Sequence, residues 1–309
     1  MIYAYTEKFM LVFSHDEVVH GKSSMLGKMP GMREQKFANL RLTYAYMMTH
    51  PGKKLLFMGQ DVGEFKEWNE QRCVEWGLLE YPGHRGVNRL MKALNTLYRE
   101  QKALYELDDE PEGFEWINNI SANECILTYA RKGRKGSDLL LVVANFSGIE
   151  KEITTGVPLP GKYKELLNTD AKEFDGSGLI NAKPISSKEV EWDDRAESIT
   201  VKIAPLSLAI FQHVPFSKTD LKRREETKAL LAAQEALRVS QEAERAAENA
   251  AQEAAQRALL LEREVKEARL AAKQARASLE RAKMQTQDAM SLVQLEETKL
   301  DNIKTKKVD

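Results

Sequence analysis

The sequence predicts a mixed fold in three consecutive parts: parallel βα units, an antiparallel β-domain, and a long helical tail. Three observations predict it. Up to about residue 109, strand-length apolar runs alternate with helix-patterned segments, the signature of parallel βα units. From residue 110 the apolar runs are short and strand-like, divided by Gly and Pro turns. Finally, every Gly, Pro, Trp, Tyr and Phe lies at or before Phe216, which leaves a remainder of long-helix composition. The expected domains are therefore 1–109, 110–216 and 217–309.

Taken in order, "FMLVF" (9–13) reads as a buried strand. "EQKFANLRLTYAYMMTH" (34–50) carries Phe37, Leu40, Leu42, Tyr44, Ala45, Met47 and Met48 at roughly helical spacing, and Pro51-Gly52 stops it. "KLLFMG" (54–59) is a second buried strand. A loop rich in Trp, Asn and Gly follows, then an amphipathic helix over 87–104. Beyond Gly113 come the strand candidates "CILTYARK", "DLLLVVANFS", "KYKELLNT", "SITVKIA" and "LSLAIFQHV". Gly133, Gly136, Pro160-Gly161 and "DGSG" (175–178) separate them.

In the tail, a heptad runs from Leu261 through Val265, Ala268, Ala272, Ala275, Leu279, Ala282, Ala289, Val293, Leu300 and Ile303. Thr286 and Glu296 interrupt it. Upstream, Ala243, Ala246, Ala247, Ala250, Ala251, Ala254, Ala255 and Ala258 form a narrow alanine stripe that allows close helix approach. Two readings stay open. One is a coiled coil or helical hairpin that self-associates through 217–309; the other is a single solvated helix held by propensity and charge pairs.

Charge and cysteine usage exclude several classes. With 46 basic and 47 acidic residues the net charge is −1, so no overall field draws in nucleic acid or an anionic membrane. Cys73 and Cys125 form neither a metal-spaced pair nor a disulfide framework, which suits a reducing cytoplasm. No metal or cofactor is expected. "FMLVF" is too short for a signal-peptide core, and Glu7 precedes it. No apolar span approaches the roughly 20 residues of a transmembrane helix.

The densest chemistry lies in "FSHDEVVHGK" (13–22), which packs two His, an Asp, a Glu and a Lys directly after a strand. In parallel α/β folds, working residues gather at the C-terminal ends of strands. "GQDVGEF" (59–65) holds the equivalent place after the second strand. Taken alone, His15-Asp16 also fits a turn or helix-cap arrangement.

The longer runs decide more. "FSHDEVVHGKSSMLGKMPG", "QKFANLRLTYAYMMTHPGKKLLFMGQDVGEFKEWNE", "GVNRLMKALNTLYRE", "ALYELDDEPEGFEWI" and "PGKYKELLNTD" closely resemble the bacterial-type 1,4-α-glucan (glycogen) branching enzymes of the α-amylase superfamily. The resemblance runs to about residue 214 and reaches none of the tail. It implies a (β/α)8 TIM barrel, of which about two βα units are present, followed by an all-β C-terminal domain. It also implies that α-1,4-glucan or glycogen is cut and the chain rejoined through an α-1,6 linkage with retained configuration.

Retention needs a nucleophilic carboxylate and a carboxylic acid about 5–5.5 Å apart. The superfamily adds a third carboxylate in a His-Asp pair, which His15 and Asp16 match. By resemblance, Asp16 stabilises the transition state and His15 orients the sugar. Glu17, His20, Lys22, Gln60, Asp61 and Trp68 are candidate substrate contacts, although the family reads Asn-Glu-Phe where this chain has Gln60-Asp61-Val62.

The family's nucleophile and acid/base fall upstream of this pair and match nothing in the 309 residues; Asp61 and Glu64 have no such match. A closed barrel takes about 250 residues. The expectation is therefore a C-terminal piece of a split or truncated gene, inactive alone, with Met1 an internal or artificial start. An N-terminal fragment would complete the barrel. The alternative is a non-catalytic module whose β-domain binds glucan or a partner and whose tail provides oligomerisation. Trp116, Tyr129, Phe146 and Trp192 are expected mainly in the β-domain core, whereas Trp68 and Trp76 are the better glucan-stacking candidates.

Overall fold

The computed structural model describes residues 1, 4–136 and 138–305, with side chains up to residue 299. It divides into two compact units, Met1–Leu221 and a second beginning at Lys222. Residues 306–309 of the expected tail lie outside the described residues, as do the side chains of the heptad positions Leu300 and Ile303.

The first unit opens with β1 (Met10–Phe13), a short helix α1 (Met25–Lys28), α2 (Arg33–Thr49), β2 (Lys53–Leu56) and α3 (Pro82–Glu100). β1 and β2 pair in parallel with Phe13 opposite Leu56, so their C-terminal ends lie side by side. α2 forms the crossover between them. It stops at His50 because the residue before Pro51 is pushed out of the helical region, and His50 sits at φ −71°, ψ 146°. α2 buries Phe37, Leu40, Leu42, Tyr44, Ala45, Met47 and Met48, and so is apolar around much of its girth, as a sandwiched helix must be.

α3 begins at Pro82, five residues before the sequence suggests, and ends at Glu100 before a separate 3-10 turn, Lys102–Leu104. Pro82 suits the first helical turn, where its missing N–H costs nothing. Gly83 and Gly86, which look like breakers, are close-approach positions. A Cβ on Gly83 would lie 2.7 Å from the Phe37 ring, and one on Gly86 would lie 2.4 Å from the Phe174 carbonyl oxygen.

The antiparallel part follows as β3 (Phe114–Asn118), β4 (Ile126–Lys132), β5 (Leu139–Asn145), β6 (Lys151–Val157), β7 (Lys162–Asn168), β8 (Ile185–Ser186), β9 (Glu197–Ile203) and β10 (Ser207–Val214). One sheet has the order β3-β4-β5-β10-β7-β8, and β6 pairs with β9 to form the second. The five strands anticipated from sequence are β4, β5, β7, β9 and β10. β3, β6 and β8 carry weaker patterns; β6 includes Gly156, where a Cβ would meet the Trp192 carbonyl at 2.2 Å.

The larger sheet is covered on both faces. In β5, Leu140, Val142 and Ala144 join Leu40, Tyr44, Leu90 and Leu94 in one core. Leu139, Leu141 and Val143 face the other way and pack with Ile199, Val201 and Phe211. Double coverage explains why "LLLVVAN" is apolar at successive positions and does not alternate. Each such Leu or Val contributes about 1.5–3 kcal/mol on burial.

A buried ion pair ties these layers. Arg131 and Asp108 meet at 2.8 Å, both nearly inaccessible. The guanidinium also donates to the carbonyls of Thr49, Gly113 and Leu104.

The last helix, α4, spans Lys218–Thr305. Ser217 and Asp220 form a reciprocal cap: Asp220 N–H donates to Ser217 Oγ at 3.1 Å, and Ser217 N–H donates to Asp220 Oδ2 at 3.1 Å. Within the second unit the helix is continuous and its apolar side chains, such as Leu230, Leu261 and Leu279, are exposed. Intrahelical ion pairs include Arg238 with Glu235 and Glu242, Arg263 with Glu267, and Lys283 with Glu280. No helix among the described residues is long and apolar enough to cross a membrane.

Candidate functional site

The C-terminal ends of β1 and β2 each run into a 3-10 turn, His15–Glu17 and Gln60–Val62. Phe57 N–H donates to the Phe13 carbonyl at 2.9 Å, carrying the parallel pairing past the strand ends and bringing the two turns together. Gly59 and Gly63 flank the second turn at φ +81° and +69°, a left-handed conformation that side chains resist.

In the first turn, Ser14 Oγ accepts from Asp16 N–H at 3.1 Å and donates to Glu17 Oε2 at 2.9 Å. The cap arrangement allowed by the sequence is therefore present, and it holds the backbone without consuming the side chains of His15 or Asp16. Both stay exposed, with His15 Nε2 3.5 Å from Asp16 Oδ1. The His15 ring packs against Phe57 and edge-on to Trp68 with centroids 6.0 and 5.9 Å away; Phe57 and Trp68 meet at 5.5 Å. This aromatic support limits the imidazole to few orientations.

The other candidates are held differently. Gln60 is buried, and its Nε2 donates to the carbonyls of Phe13 and Ser14 at 3.3 and 3.2 Å, bracing one turn against the other. Asp61 Oδ2 accepts from Asn88 at 3.1 Å. His20 is fully exposed, 3.4 Å from Glu67, and Lys22 is exposed with no side-chain partner among the described residues. Glu67 accepts from the amides of Ser23 at 2.7 Å and Gly21 at 3.1 Å, which hold its carboxyl below the usual range. Trp68 lines a cleft of about 170 Å³ with Val18, Gln60 and Glu64. That is smaller than the roughly 300–1,000 Å³ of ordinary small-molecule sites.

The carboxylates of these turns separate cleanly. Glu17, Asp61, Glu64 and Glu67 each accept from a neighbouring polar group and hold the loops in shape. Among the described residues, the Asp16 side chain meets only His15. One free carboxylate can grip hydroxyls or a developing positive charge; it cannot act at once as nucleophile and proton donor. Phe57 and Glu67 escaped the sequence reading. An aromatic ending the second strand is the only local hint for Phe57, and the bond from Glu67 to Gly21 spans 46 positions. No cluster of three or more His, Cys, Asp or Glu is placed to hold a metal among the described residues.

Of the aromatics assigned mainly to the β-domain core, Tyr129 is fully buried and Trp116 packs partly against the same cluster. Phe146 and Trp192 are 39% and 46% exposed. Trp76 is exposed as well.

Comparison with known proteins bears on this geometry. Residues 116–214 match the family described as the alpha amylase C-terminal all-beta domain, a range that starts within β3 and closes with β10. The chain is 48% identical over 212 residues to the 1,4-alpha-glucan branching enzyme GlgB of Aquifex aeolicus. This covers 68% of this chain and 34% of that protein. The chain carries a C-terminal region of the branching-enzyme type. The branching enzyme of Geobacillus stearothermophilus is 47% identical over 215 residues, 69% of this chain and 34% of the relative. The chain thus spans about a third of the length of the curated relatives it matches. A solved structure, the native form of the Nostoc punctiforme debranching enzyme, superposes with TM-score 0.45 at 15% identity, covering 66% of this chain and 35% of that one.

Proposed function

We propose that residues 1–109 are the last two βα units of a branching-enzyme (β/α)8 barrel and that 110–216 are its all-β domain. The remaining segment, 217–309, serves as an association segment. The reaction is cleavage of an α-1,4-glucan and transfer of the chain to an α-1,6 position. The observation that carries this reading is the 48% identity over 212 residues to a branching enzyme. The free Asp16 beside His15, at the C-terminal end of a parallel strand, supports it.

In this reading Asp16, ionised, hydrogen-bonds hydroxyls of the reacting sugar and tightens as the ring gains oxocarbenium charge. His15 donates to the same sugar, its ring steadied by Phe57 and Trp68. Glu17, His20, Lys22, Gln60 and Asp61 shape the rim. The nucleophile that bonds to the anomeric carbon and the acid that protonates the departing oxygen come from chain outside these 309 residues, attached or separate. Glucan and that N-terminal part are the partners, and the free, exposed Cys73 and Cys125 agree with work in the cytoplasm.

The test is iodine staining of amylose. Purified alone, this chain should not branch amylose; mixed with a fragment carrying the first six barrel units, it should. Asp16→Asn in the mixture should lower the rate about 100-fold or more, with His15→Ala costing less. Robust branching by the lone chain would overturn the claim that the nucleophile and acid come from outside these 309 residues.

The exposed Trp192 keeps the binding-module reading testable in the same protein. If the full chain is retained on amylose, Trp192→Ala abolishes retention, and the fragment with the first six barrel units restores no branching, the β-domain binds glucan without catalysis.

A further inference from the structure

The continuous helix α4 extends the heptad upstream of Leu261. Taking Val265 as an a position, the a/d seam runs from Leu230 through Ala233, Leu237, Ala247, Ala251, Ala254, Ala258 and Leu261 to Val293, with Ser240 and Glu244 interrupting it upstream and Thr286 downstream. Its large members, Leu230, Leu237, Leu261, Val265, Leu279 and Val293, are all exposed in the single chain. We infer that this face pairs with the same face of a second copy in an antiparallel coiled coil, whose two-fold axis lies between Val265 and Ala268. The inference rests on the tail being an association segment, as proposed above, and is independent of the enzymatic reading.

Two features bear on the pairing: one selects the antiparallel arrangement, the other its register. The first is size. In an antiparallel pair each a residue faces a d residue of the other copy. With the axis between Val265 and Ala268, Val265 faces the partner's Ala268, Leu261 faces the partner's Ala272, and Ala254 faces the partner's Leu279. Large meets small in these three layers, while Ala258 meets the partner's Ala275 and Ala251 the partner's Ala282, so the helices approach closely along the middle of the seam. A parallel in-register pair would set Ala268, Ala272 and Ala275 each against itself, burying little. It would also oppose Glu244 to Glu244 and Glu296 to Glu296 within the seam, whereas the antiparallel register separates these like charges, setting Glu244 against the partner's Ala289 and Glu296 against the partner's Leu237.

Charge is the second feature. The e positions flanking the seam are acidic in its first half, Glu248 and Glu262, and basic in the second, Arg269, Arg276 and Lys283. Antiparallel pairing sets e beside e. In this register Glu262 meets the partner's Arg269, and Glu248 meets the partner's Lys283. A shift of one heptad in either direction would set Glu262 against Glu262 or Arg269 against Arg269. Among the described residues Glu248, Glu262, Arg269 and Arg276 have no ion pair within their own helix, so all four are available.

The experiment uses the full chain. Sedimentation should show a dimer that Glu262→Arg or Arg269→Glu each weakens about tenfold or more, by placing like charges together at two symmetric sites. The double swap should restore the dimer, because the two altered positions face each other. A parallel pair behaves oppositely: there Glu262 lies beside the partner's Arg257 and Arg269 beside the partner's Glu264, so the double swap is the worst variant. Disulfide trapping gives a second readout, in a background with Cys73→Ser and Cys125→Ser. Ala247→Cys and Thr286→Cys should cross-link only when the two variants are mixed, since each position lies about 58 Å from its own copy at 1.5 Å per residue. Self-cross-linking of either single variant, or a double swap that fails to restore the dimer, would overturn the antiparallel register. A monomer at the highest soluble concentration would overturn both the register and the association segment.

Discussion

Arg131 shows how far one residue's role lies from its local sequence. It sits in β4 with four partners drawn from the end of α2, the turns after α3 and the start of the β-domain. Nothing in "TYARK" announces this. A buried pair adds little net stability against an apolar substitute, but losing Arg131 leaves the buried Asp108 charge, among the described residues, with only the Tyr98 hydroxyl at 3.0 Å and Lys53 at 3.8 Å. Arg131→Met should therefore lower stability by about 3–5 kcal/mol, and Arg131→Met with Asp108→Leu should recover much of the loss. Urea midpoints compare them; a double variant no better than the single would refute the stranded-charge account. The same limit governs the site. The position of His15 and Asp16 after a strand was legible because it follows from an apolar run ending in polar residues. The Gln60 brace and the Glu67 clasp, each spanning more than 40 positions, were not, since only the folded chain brings their partners near.

At the scale of elements, α2 and the strands β4, β5, β7, β9 and β10 were legible because periodicity and turn residues agree with burial. The start of α3 was not, because Gly83 and Gly86 signal a break while tertiary packing requires them. In an exposed helix interior Gly→Ala gains about 1 kcal/mol. At Gly86 that gain should be outweighed by the clash with the Phe174 carbonyl, which costs about 1–3 kcal/mol. Gly86→Ala should thus lower the thermal midpoint, and Gly148→Ala, with open space around it, should not. The start of α4 has a pH signature. Lys162 and the Ser217 cap hold the Asp220 carboxyl down to about 2, from an ordinary 3.8. A depressed carboxyl stabilises the folded form above its unfolded value and loses that contribution as protons bind in the folded state. Amide protection in the first turn of α4, taken relative to the intrinsic exchange rate at each pH, should accordingly be full above about pH 4 and fall as pH drops toward 2. In Asp220→Asn the protection should be low throughout, and a wild-type protection that does not change across that window would contradict the cap.

The whole first unit hangs on one shared sheet. Leu140, Val142, Leu208 and Ile210 from the strands join Leu40, Tyr44 and Leu90 from the helices in a single cluster, a union that no local pattern reveals. The parallel pair is where the molecule is least finished. Among the described residues β1 and β2 pair only with each other, so their outer edges lack strand partners there. Leu11, Phe13 and Leu56 pack onto the helical core, but Met10 and Val12 point away and are 52% and 44% exposed, with Phe9 and Met58 also uncovered. Parallel strands normally have both faces covered, and an apolar face left open is a docking or aggregation surface. The purified chain should therefore enhance the fluorescence of the apolar dye ANS and aggregate as concentration rises. Met10→Thr with Val12→Thr keeps good strand formers and should reduce both effects. The urea midpoint of the first unit should stay unchanged, since neither side chain belongs to a core cluster. Adding the fragment with the first six barrel units should suppress the dye signal in the wild type. If the double Thr variant binds as much dye as wild type, the exposed strand face is not the surface responsible.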